Sequence, residues 1–376
     1  MKDSNFEMQV ENRTFTKRFD INFALVILAL NVIGLINLYS ATNSASAAQM
    51  SRLFNQQLIW LCVGWGIFFF TTILDYKFFK RFAFVFYAIN IVALVLVSFY
   101  GKKFYGAQRW LDLGFFRYQP SETMKLAMVL VMARVLSRYE AQNGLGIKEL
   151  LVPLGLTAIP VLLTVKQPDL GTGILILAVC VSMIMFVGVR KPILIAAIVT
   201  GLVAAPVLWS FGLKKYQKNR ILTFVDPGRD PRGTGYNSIQ SKIAVGSGRI
   251  LGKGFRKGTQ SQLEFLPERH TDFIYSVLSE EHGFIGSVAT FGLFLTLYWM
   301  ALRIATQARD KFGALITVGV LAYLFWHVTV NIGMVIGLLP IVGVPLPLLS
   351  YGGSSMLATM AGLGLISGVA YRKYLF

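Results

Sequence analysis

Residues 260–283 read QSQLEFLPERHTDFIYSVLSEEHG, and this polar stretch interrupts a chain that is otherwise dominated by apolar runs. It holds five carboxylates, one arginine and two histidines. Because charge at bilayer depth is costly and usually functional, such a stretch is expected at a water boundary. Thr271 is predicted to cap a helix that begins at Asp272, since its hydroxyl can accept a hydrogen bond from an orphan backbone N–H. Asp272 would then lie at the mouth of a helix, either as an acid that stabilises the helix dipole or as the working carboxylate of a membrane enzyme.

The composition of the chain is that of a polytopic membrane protein. Of its 376 residues, 55% are hydrophobic and only 14% are charged, whereas soluble domains carry about 25% charged residues. The formal net charge of +18 favours anionic lipid or phosphate partners, and no zinc-finger or helix-turn-helix pattern supports nucleic acid as a partner. Walker A, GxGxxG and HExxH motifs are absent, which argues against ATP-driven transport and metalloprotease chemistry.

The hydropathy pattern predicts an all-α fold of about ten transmembrane helices, most of them close to the roughly 20 residues that a span needs. The predicted spans are 21–39, 57–74, 82–100, 122–136, 150–165, 172–188, 192–211, 284–304, 313–337 and 353–371. Residues 1–376 are therefore interpreted as a single membrane domain with a polar tail at 1–20 and a long loop at 212–271.

Two of the predicted spans are unusual. The fourth and fifth are short and contain Glu122, Lys125, Pro153 and Pro160. Charged or irregular segments rarely face lipid, so we expect these two spans to be shielded by protein or to face a cavity.

Lysine and arginine predict the orientation in the membrane. They concentrate in the segments that share a side with the N-terminus, which places both termini in the cytoplasm and loop 212–271 outside. Loop 101–121 and loop 212–271 depart from the pattern, and the latter carries twelve basic residues. An anionic ligand outside the membrane is the simplest explanation. Within the long loop, residues 236–245 are predicted to form a short amphipathic helix, with Tyr236, Ile239, Ile243 and Ala244 on one side.

Several polar residues are candidates for a site. Arg109 has the planar fork that suits a diphosphate, and Trp110 is either an interfacial anchor or a substrate contact. Glu122 and Lys125 are three residues apart on one helix face, so they either neutralise each other or form a polar handle in a cavity. Asp169 is either a helix cap or a residue near the cavity.

Seven motifs occur in a fixed order along nearly the whole chain. They are GAQRWLDLG at 106–114, QPSE at 119–122, QPDLGT at 167–172, DPxxDPxGxGY at 226–236, QSKIAVGSG at 240–248, GTQSQLEFLPERHTDFIYSVLSEE at 258–281 and PLPLLSYGGSS at 345–355. Together they resemble the SEDS family (shape, elongation, division and sporulation proteins) of bacterial cell-wall polymerases. The first and the sixth motifs are more similar in sequence to the elongation branch of this family than to its division branch. From its proline and glycine content, the last is expected to be a bent segment that packs beside the final span.

The resemblance implies a peptidoglycan glycosyltransferase that uses lipid II, an undecaprenyl diphosphate-linked disaccharide pentapeptide, as donor and acceptor for β-1,4 glycan strands in cell elongation. The essential acid of the family's HTDF motif falls on Asp272, which would act as general base or, alternatively, hold a metal. A helix N-terminus and nearby arginines are expected to lower the pKa of Asp272.

The resemblance also implies binding groups and partners. The leaving diphosphate would be held by several of Arg109, Arg220, Lys242 and Arg269, with a divalent cation (Mg or Mn) as a further candidate, while Glu122 and Lys125 would shape the cavity. The expected partners are a class B penicillin-binding protein and other membrane proteins of the elongation complex in the bacterial inner membrane. The alternatives are a flippase for lipid-linked precursor, a scaffold that only recruits a partner, and a septal polymerase.

Overall fold

The computed structural model describes residues 19–43, 47–104, 107–112, 114, 117–140, 144–230 and 233–373. The predicted tail therefore lies almost wholly outside the described residues, as do Gly106 and Leu113 of the GAQRWLDLG motif.

The described chain is helical apart from one small sheet, which confirms the predicted all-α fold. Its helices are α1 (Ile21–Ala41), α2 (Ala47–Ile73), α3 (Tyr76–Tyr100), α4 (Pro120–Leu136), α5 (Ile147–Lys166), α6 (Leu170–Val187), α7 (Lys191–Val207), α8 (Lys215–Val225), α9 (Thr234–Ser247), α10 (Thr259–Gln262), α11 (Ile274–Thr306), α12 (Lys311–Ile336) and α13 (Gly353–Arg372). A π-helical turn at Leu208–Gly212 extends α7, and a 3-10 turn lies at Pro227–Arg229. Strands β1 (Lys102–Phe104), β2 (Ala107–Asp112) and β3 (Arg117–Tyr118) pair in antiparallel order between α3 and α4.

Nine helices of the described residues are long and apolar enough to cross a membrane: α1, α2, α3, α5, α6, α7 with its extension, α11, α12 and α13. The remaining predicted span, the fourth in chain order, is α4, which has only 17 residues. It packs among α3, α6, α12 and α13, and nearly all of its side chains are buried. The expectation that protein shields this short, charged helix is confirmed.

Helices α5 and α7 are covered less completely. Pro153 and Pro160 of α5 are buried, but Leu151 and Leu162 on its other face are exposed, so only the proline face is shielded as expected. No residue of α7 is buried. Within the described residues, α7 therefore stands apart from the packed helices.

The loops predicted to share a side of the membrane are joined to one another at the ends of the bundle. At one end Arg372 donates to the carbonyl of Thr72 at 2.9 Å, and Lys373 donates to Gln307 at 2.9 Å. At the other end Asn43 after α1 donates to Gln262 in the long loop at 2.9 Å. The grouping of the loops agrees with the charge pattern of the sequence.

Helix α11 is broken at Gly283, whose φ of 63° and ψ of −158° are not helical. The turn at 249–254 packs against the break and bonds to both halves of the helix. Its hydrogen bonds run from Lys253 N to Glu280 O (3.0 Å), from Gly254 N to Glu281 O (3.0 Å) and from Phe284 N to Arg249 O (2.9 Å). Because these bonds satisfy backbone groups that the break leaves unpaired, the buried first half can point away from the line of the span.

The predicted helix in the long loop is present as α9, but its buried face differs from the expectation. Ala244 of the predicted face is buried together with Ser238 and Ser241, which lie outside that face, whereas Ile239 and Ile243 are 38% and 44% exposed. Small side chains let α9 approach α11 and α12 closely, and hydrophobic periodicity does not detect such a face.

Candidate active site

Asp272 lies in the turn before α11 and not inside the helix. The helix begins at Ile274, and Phe273 occupies the capping position without a side-chain hydrogen bond. The predicted cap by Thr271 is therefore wrong. Its hydroxyl instead donates to the carboxylate of Glu268 at 3.0 Å. This bond closes a short turn of residues 268–271, directly before Asp272.

The carboxyl of Asp272 is a stronger base than an ordinary aspartate. Burial raises its pKa to about 7, and the negative charge of Glu268 acts in the same direction. Arg109 and Arg220 lower the pKa, and Asp169 raises it slightly. The expected lowering of the pKa is therefore wrong in its net sign, because desolvation of the partly buried Asp272 outweighs the two arginines. A base with a pKa near 7 is well matched to proton transfer at neutral pH.

Arg109 is brought to the site from β2. Its Nη1 lies 3.6 Å from Oδ1 of Asp169, and its Nη2 donates to the carbonyl of Pro168. Asp169 also caps α6 by accepting a hydrogen bond from Thr172 N at 3.3 Å. The helix-cap interpretation of Asp169 is confirmed, and the same carboxylate contacts Arg109, an arginine that acts on Asp272. A role of Asp169 near a substrate cavity stays a prediction.

Residues 337–352, the segment between α12 and α13, pass directly over the carboxylate of Asp272. At Gly343 the φ is +79°, and a Cβ would stand 3.2 Å from Oδ2 of Asp272. Arg220 of α8 donates to the carbonyl of the preceding residue, Val342, at 3.3 Å. A side chain at Gly343 would therefore crowd the carboxylate and require a strained backbone.

Glu122 and Lys125 form the ion pair that their spacing predicts, with Nζ and Oε1 2.8 Å apart and both side chains buried. The ammonium of Lys125 also lies 2.7 Å from Nε2 of His327 and 5.4 Å from the centre of the Tyr323 ring. Oε2 of Glu122 is buried without a hydrogen-bond partner. The pair neutralises itself inside the helix bundle, and its role in a substrate cavity stays a prediction.

Three of the candidate binding residues are placed differently from Arg109 and Arg220. Arg269 donates from Nε to the carbonyl of Ala41 at 2.8 Å and from Nη2 to Glu264 at 2.9 Å, which ties the long loop to the end of α1. Lys242 is exposed on α9, and its side chain lies against Gly337 at the end of α12.

Trp110 is partly buried on β2, where it pairs in register with Lys102. As the neighbour of Arg109 on a strand, it faces the opposite side of the sheet.

The charges that act on the pKa of Asp272 include Arg109 and Arg220. The part of Lys242, Trp110 and Arg269 in substrate binding stays a prediction.

Two buried polar residues of α12 were not singled out as functional from the sequence. His327 contacts Lys125, and Asn331, one turn further on, donates to the carbonyl of Asp272 at 2.8 Å. Both are wholly buried. The signal that could have found them is a pair of polar side chains four residues apart inside an apolar span, since such residues are rare and functional.

In the part of the chain that the structure describes, the side chains do not form a metal site on their own. Among the residues that the structure describes, no three His, Cys, Asp or Glu side chains are grouped so that they could hold a metal ion.

Comparison with known proteins gives a consistent result. The family model FTSW_RODA_SPOVE, described as cell cycle protein, matches residues 21–375. Peptidoglycan glycosyltransferase MrdB of Escherichia coli K12 is 42% identical over 357 residues, which is 95% of each chain. A chain of a solved peptidoglycan synthase complex, in which polymerization and crosslinking are coordinated, is 30% identical with a TM-score of 0.81 and covers 95% of this chain and 99% of its own. The crystal structure of the rod shape determining protein RodA of Thermus thermophilus is 27% identical with a TM-score of 0.70 and covers 95% of this chain and 98% of its own.

Proposed function

The chain belongs to the FTSW_RODA_SPOVE family, and from this premise we propose that its glycosyl transfer takes place at Asp272, with lipid II as donor and acceptor. The chain is a multi-pass membrane protein and a peptidoglycan glycosyltransferase. The observation that supports Asp272 most directly is its carboxyl, with a pKa of about 7, beside Arg109 and Arg220.

The proposed reaction is a single displacement with inversion. The 4-hydroxyl of the acceptor GlcNAc attacks C1 of the donor MurNAc, the bond between C1 and the diphosphate oxygen breaks, and Asp272 takes the hydroxyl proton. An α-linked diphosphate then gives a β-1,4 linkage in one step, so one base is enough. Positioned proton transfer of this kind contributes about 10²–10⁴-fold to the rate.

The leaving undecaprenyl diphosphate needs positive charge close to the base. Arg109 and Arg220 act on the carboxyl of Asp272 from β2 and α8. A guanidinium matches phosphate oxygens in a bidentate manner and stabilises the negative charge that develops on them. We therefore assign the diphosphate to these two arginines before Lys242 and Arg269.

A divalent cation (Mg or Mn) at this site stays a proposal. Because the described residues do not group three metal-binding side chains, such a cation would take most of its ligands from the diphosphate and water, as Mg²⁺ does in many phosphate sites. No step of the reaction above depends on it.

The biological setting follows the relatives. The likeness to RodA and to MrdB supports a role in cell elongation over a septal role or a flippase. The likeness to a complex that joins polymerization to crosslinking supports a class B penicillin-binding protein as partner. The proposed orientation has both termini in the cytoplasm and Asp272 outside, and other elongation-complex membrane proteins remain expected partners.

The test is polymerisation of lipid II by the purified protein. We expect wild-type protein to produce glycan strands and Asp272→Ala to lose at least ~100-fold of the rate while it remains folded and inserted in the membrane. Glu140→Gln, a change of an exposed carboxylate remote from Asp272, serves as the control and should keep the rate. Wild-type activity in Asp272→Ala would show that another group is the base, and a wild-type protein without product would remove the proposed function.

A further inference from the structure

The turn that carries Asp272 is held by hydrogen bonds to three consecutive carbonyl oxygens. All three donors belong to α12 or to the 337–352 segment, far away in the chain. The bonds run from Tyr351 N to His270 O (3.0 Å), from Ser350 Oγ to Thr271 O (2.7 Å) and from Asn331 Nδ2 to Asp272 O (2.8 Å).

Asn331 uses its amide to join three parts of the molecule. It is wholly buried on α12, and its Nδ2 donates both to Asp272 O and to Val344 O, the latter at 2.7 Å. Two carbonyl acceptors require a group with two N–H donors, which an amide provides and a carboxylate does not. The reversed amide would place Oδ1 against two carbonyl oxygens, so the orientation of the side chain is defined by its partners.

Ser350 connects the same turn to the inside of the 337–352 segment. Its hydroxyl accepts a hydrogen bond from Leu346 N at 2.7 Å and donates to Thr271 O at 2.7 Å. This hydroxyl therefore fixes the bend of the segment and its distance from the turn at once. The segment also carries Gly343, above the carboxylate of Asp272.

The turn also has bonds that do not involve α12 or the 337–352 segment. Thr271 N and Phe273 N donate to Glu268 O at 3.1 and 3.3 Å, and Arg269 donates to Ala41 O at 2.8 Å. None of these bonds uses the carbonyl oxygens of residues 270–272. Asp272 precedes the helix, and the helix start has no side-chain cap. Immediately after the turn, Asn37 donates to the carbonyl oxygen of Ile274, the first residue of α11, at 2.8 Å. Since a displacement of about 1 Å in a catalytic group can cost ~10²-fold in rate, a base in an uncapped turn needs external bonds to keep its position.

We infer that Asn331 and Ser350 are positioning residues for glycosyl transfer, which hold the turn so that the Asp272 carboxylate faces the reacting hydroxyl between Arg109 and Arg220. The inference rests on the proposed role of Asp272. The 337–352 segment, which contains the start of the SYGGSS motif, then has a role beyond packing. Together with α12 it holds the backbone of the turn that carries Asp272.

The experiment compares Asn331→Ala and Ser350→Ala with wild type in lipid II polymerisation, with rates normalised to folded, monodisperse protein. We expect kcat to fall about 10- to 100-fold with little change in KM, because substrate binding does not use these side chains. The control is Asn31→Ala, since Asn31 is a buried amide of α1 whose polar atoms have no hydrogen-bond partner. It should keep the wild-type kcat.

The pH profile provides a readout that a loss of folded protein does not change. The charged groups acting on Asp272 are Glu268 in its own loop, Arg109 on β2, Arg220 on α8 and Asp169 at the start of α6. A loosened turn exposes the carboxyl to water, so its pKa falls from about 7 towards the ordinary value of about 4. The acid limb of kcat/KM should therefore move to lower pH in both variants.

Each outcome decides the inference. Wild-type kcat in the folded variants, or a lower rate with an unmoved acid limb, would overturn it. If Asn331→Ala does not fold, Ser350→Ala decides by the same two readouts. Asp272→Asn is run in parallel: wild-type polymerisation by that variant removes the proposed base itself, whereas an inactive Asp272→Asn beside unaffected Asn331 and Ser350 variants removes only the positioning role.

Discussion

Two carboxylates share the turn before α11, and Thr271 lies between them. Its hydroxyl donates to Glu268 at 3.0 Å, and the charge of Glu268 raises the pKa of Asp272. A like charge disfavours ionisation of its neighbour, whereas Arg109 and Arg220 favour it. Glu268 therefore contributes to the basicity of Asp272 and needs no contact with substrate to do so.

At the scale of these residues we predict a shifted pH profile for Glu268→Gln. The base must be ionised to accept a proton, so the rate should rise with pH through about 7, the pKa of Asp272. Removal of the Glu268 charge lowers this pKa, and the acid limb of kcat/KM should move to lower pH. Glu264→Gln is the matched control, because Glu264 lies in the same loop but pairs with Arg269. Equal profiles for Glu268→Gln and wild type would show that Glu268 does not influence the base.

At the scale of elements, the broken helix α11 joins the site to the membrane. Its first half is buried and carries Glu280, which accepts hydrogen bonds from Lys253 Nζ at 2.8 Å and from Gln260 N at 3.0 Å. The carboxylate thereby stabilises the start of α10. The second half is the apolar span that the sequence predicts. The break at Gly283 lets one helix serve both purposes.

We predict that Gly283→Ala unfolds at a clearly lower temperature than wild type. The φ of 63° with ψ of −158° lies in a region that is nearly restricted to glycine, at a cost of about 1–3 kcal/mol for other residues. A Cβ would also stand 2.3 Å from Gly252 N. Gly292→Ala on the same helix meets no atom within 4 Å and should be neutral or stabilising, since alanine favours helix by about 1 kcal/mol. Equal melting temperatures of the two variants in detergent would contradict the strain argument.

At the scale of the whole molecule, the helices form a bundle with two chemically distinct ends. The long loop, the sheet and the 337–352 segment gather at one end around Asp272. The other end carries the basic loops, where Arg372 lies 3.8 Å from Asp75. The positive-inside rule assigns the second end to the cytoplasm.

The orientation can be tested without reference to catalysis. A cysteine introduced by Gly228→Cys, in the long loop, should react with an impermeant thiol reagent added outside intact spheroplasts. One introduced by Lys311→Cys, at the start of α12, should react only after the membrane is opened. Both are made in a background that lacks the exposed Cys62. The reverse pattern would place the proposed site on the cytoplasmic face.

The sequence by itself determined the features that depend on neighbours in the chain. Apolar runs of sufficient length predict membrane spans, and the prediction of about ten helices is confirmed. The three-residue spacing of Glu122 and Lys125 predicts their ion pair, because residues at that spacing share one face of a helix. The motif order was enough to identify the family, and with it Asp272 as the candidate base.

Only the tertiary structure decided how the site works, because the deciding contacts join residues that are distant in the chain. Asn331 meets Asp272 across 59 residues and Ser350 meets Thr271 across 79, and no local pattern encodes such pairings. Burial in the folded chain sets the sign of the pKa shift of Asp272, whereas the expectation from the sequence considered only a helix start and nearby arginines and predicted the wrong sign. Arg269, the basic residue nearest to Asp272 in the chain, bonds to Ala41 and Glu264. Arg109 and Arg220 approach Asp272 because β2 and α8 converge on the turn.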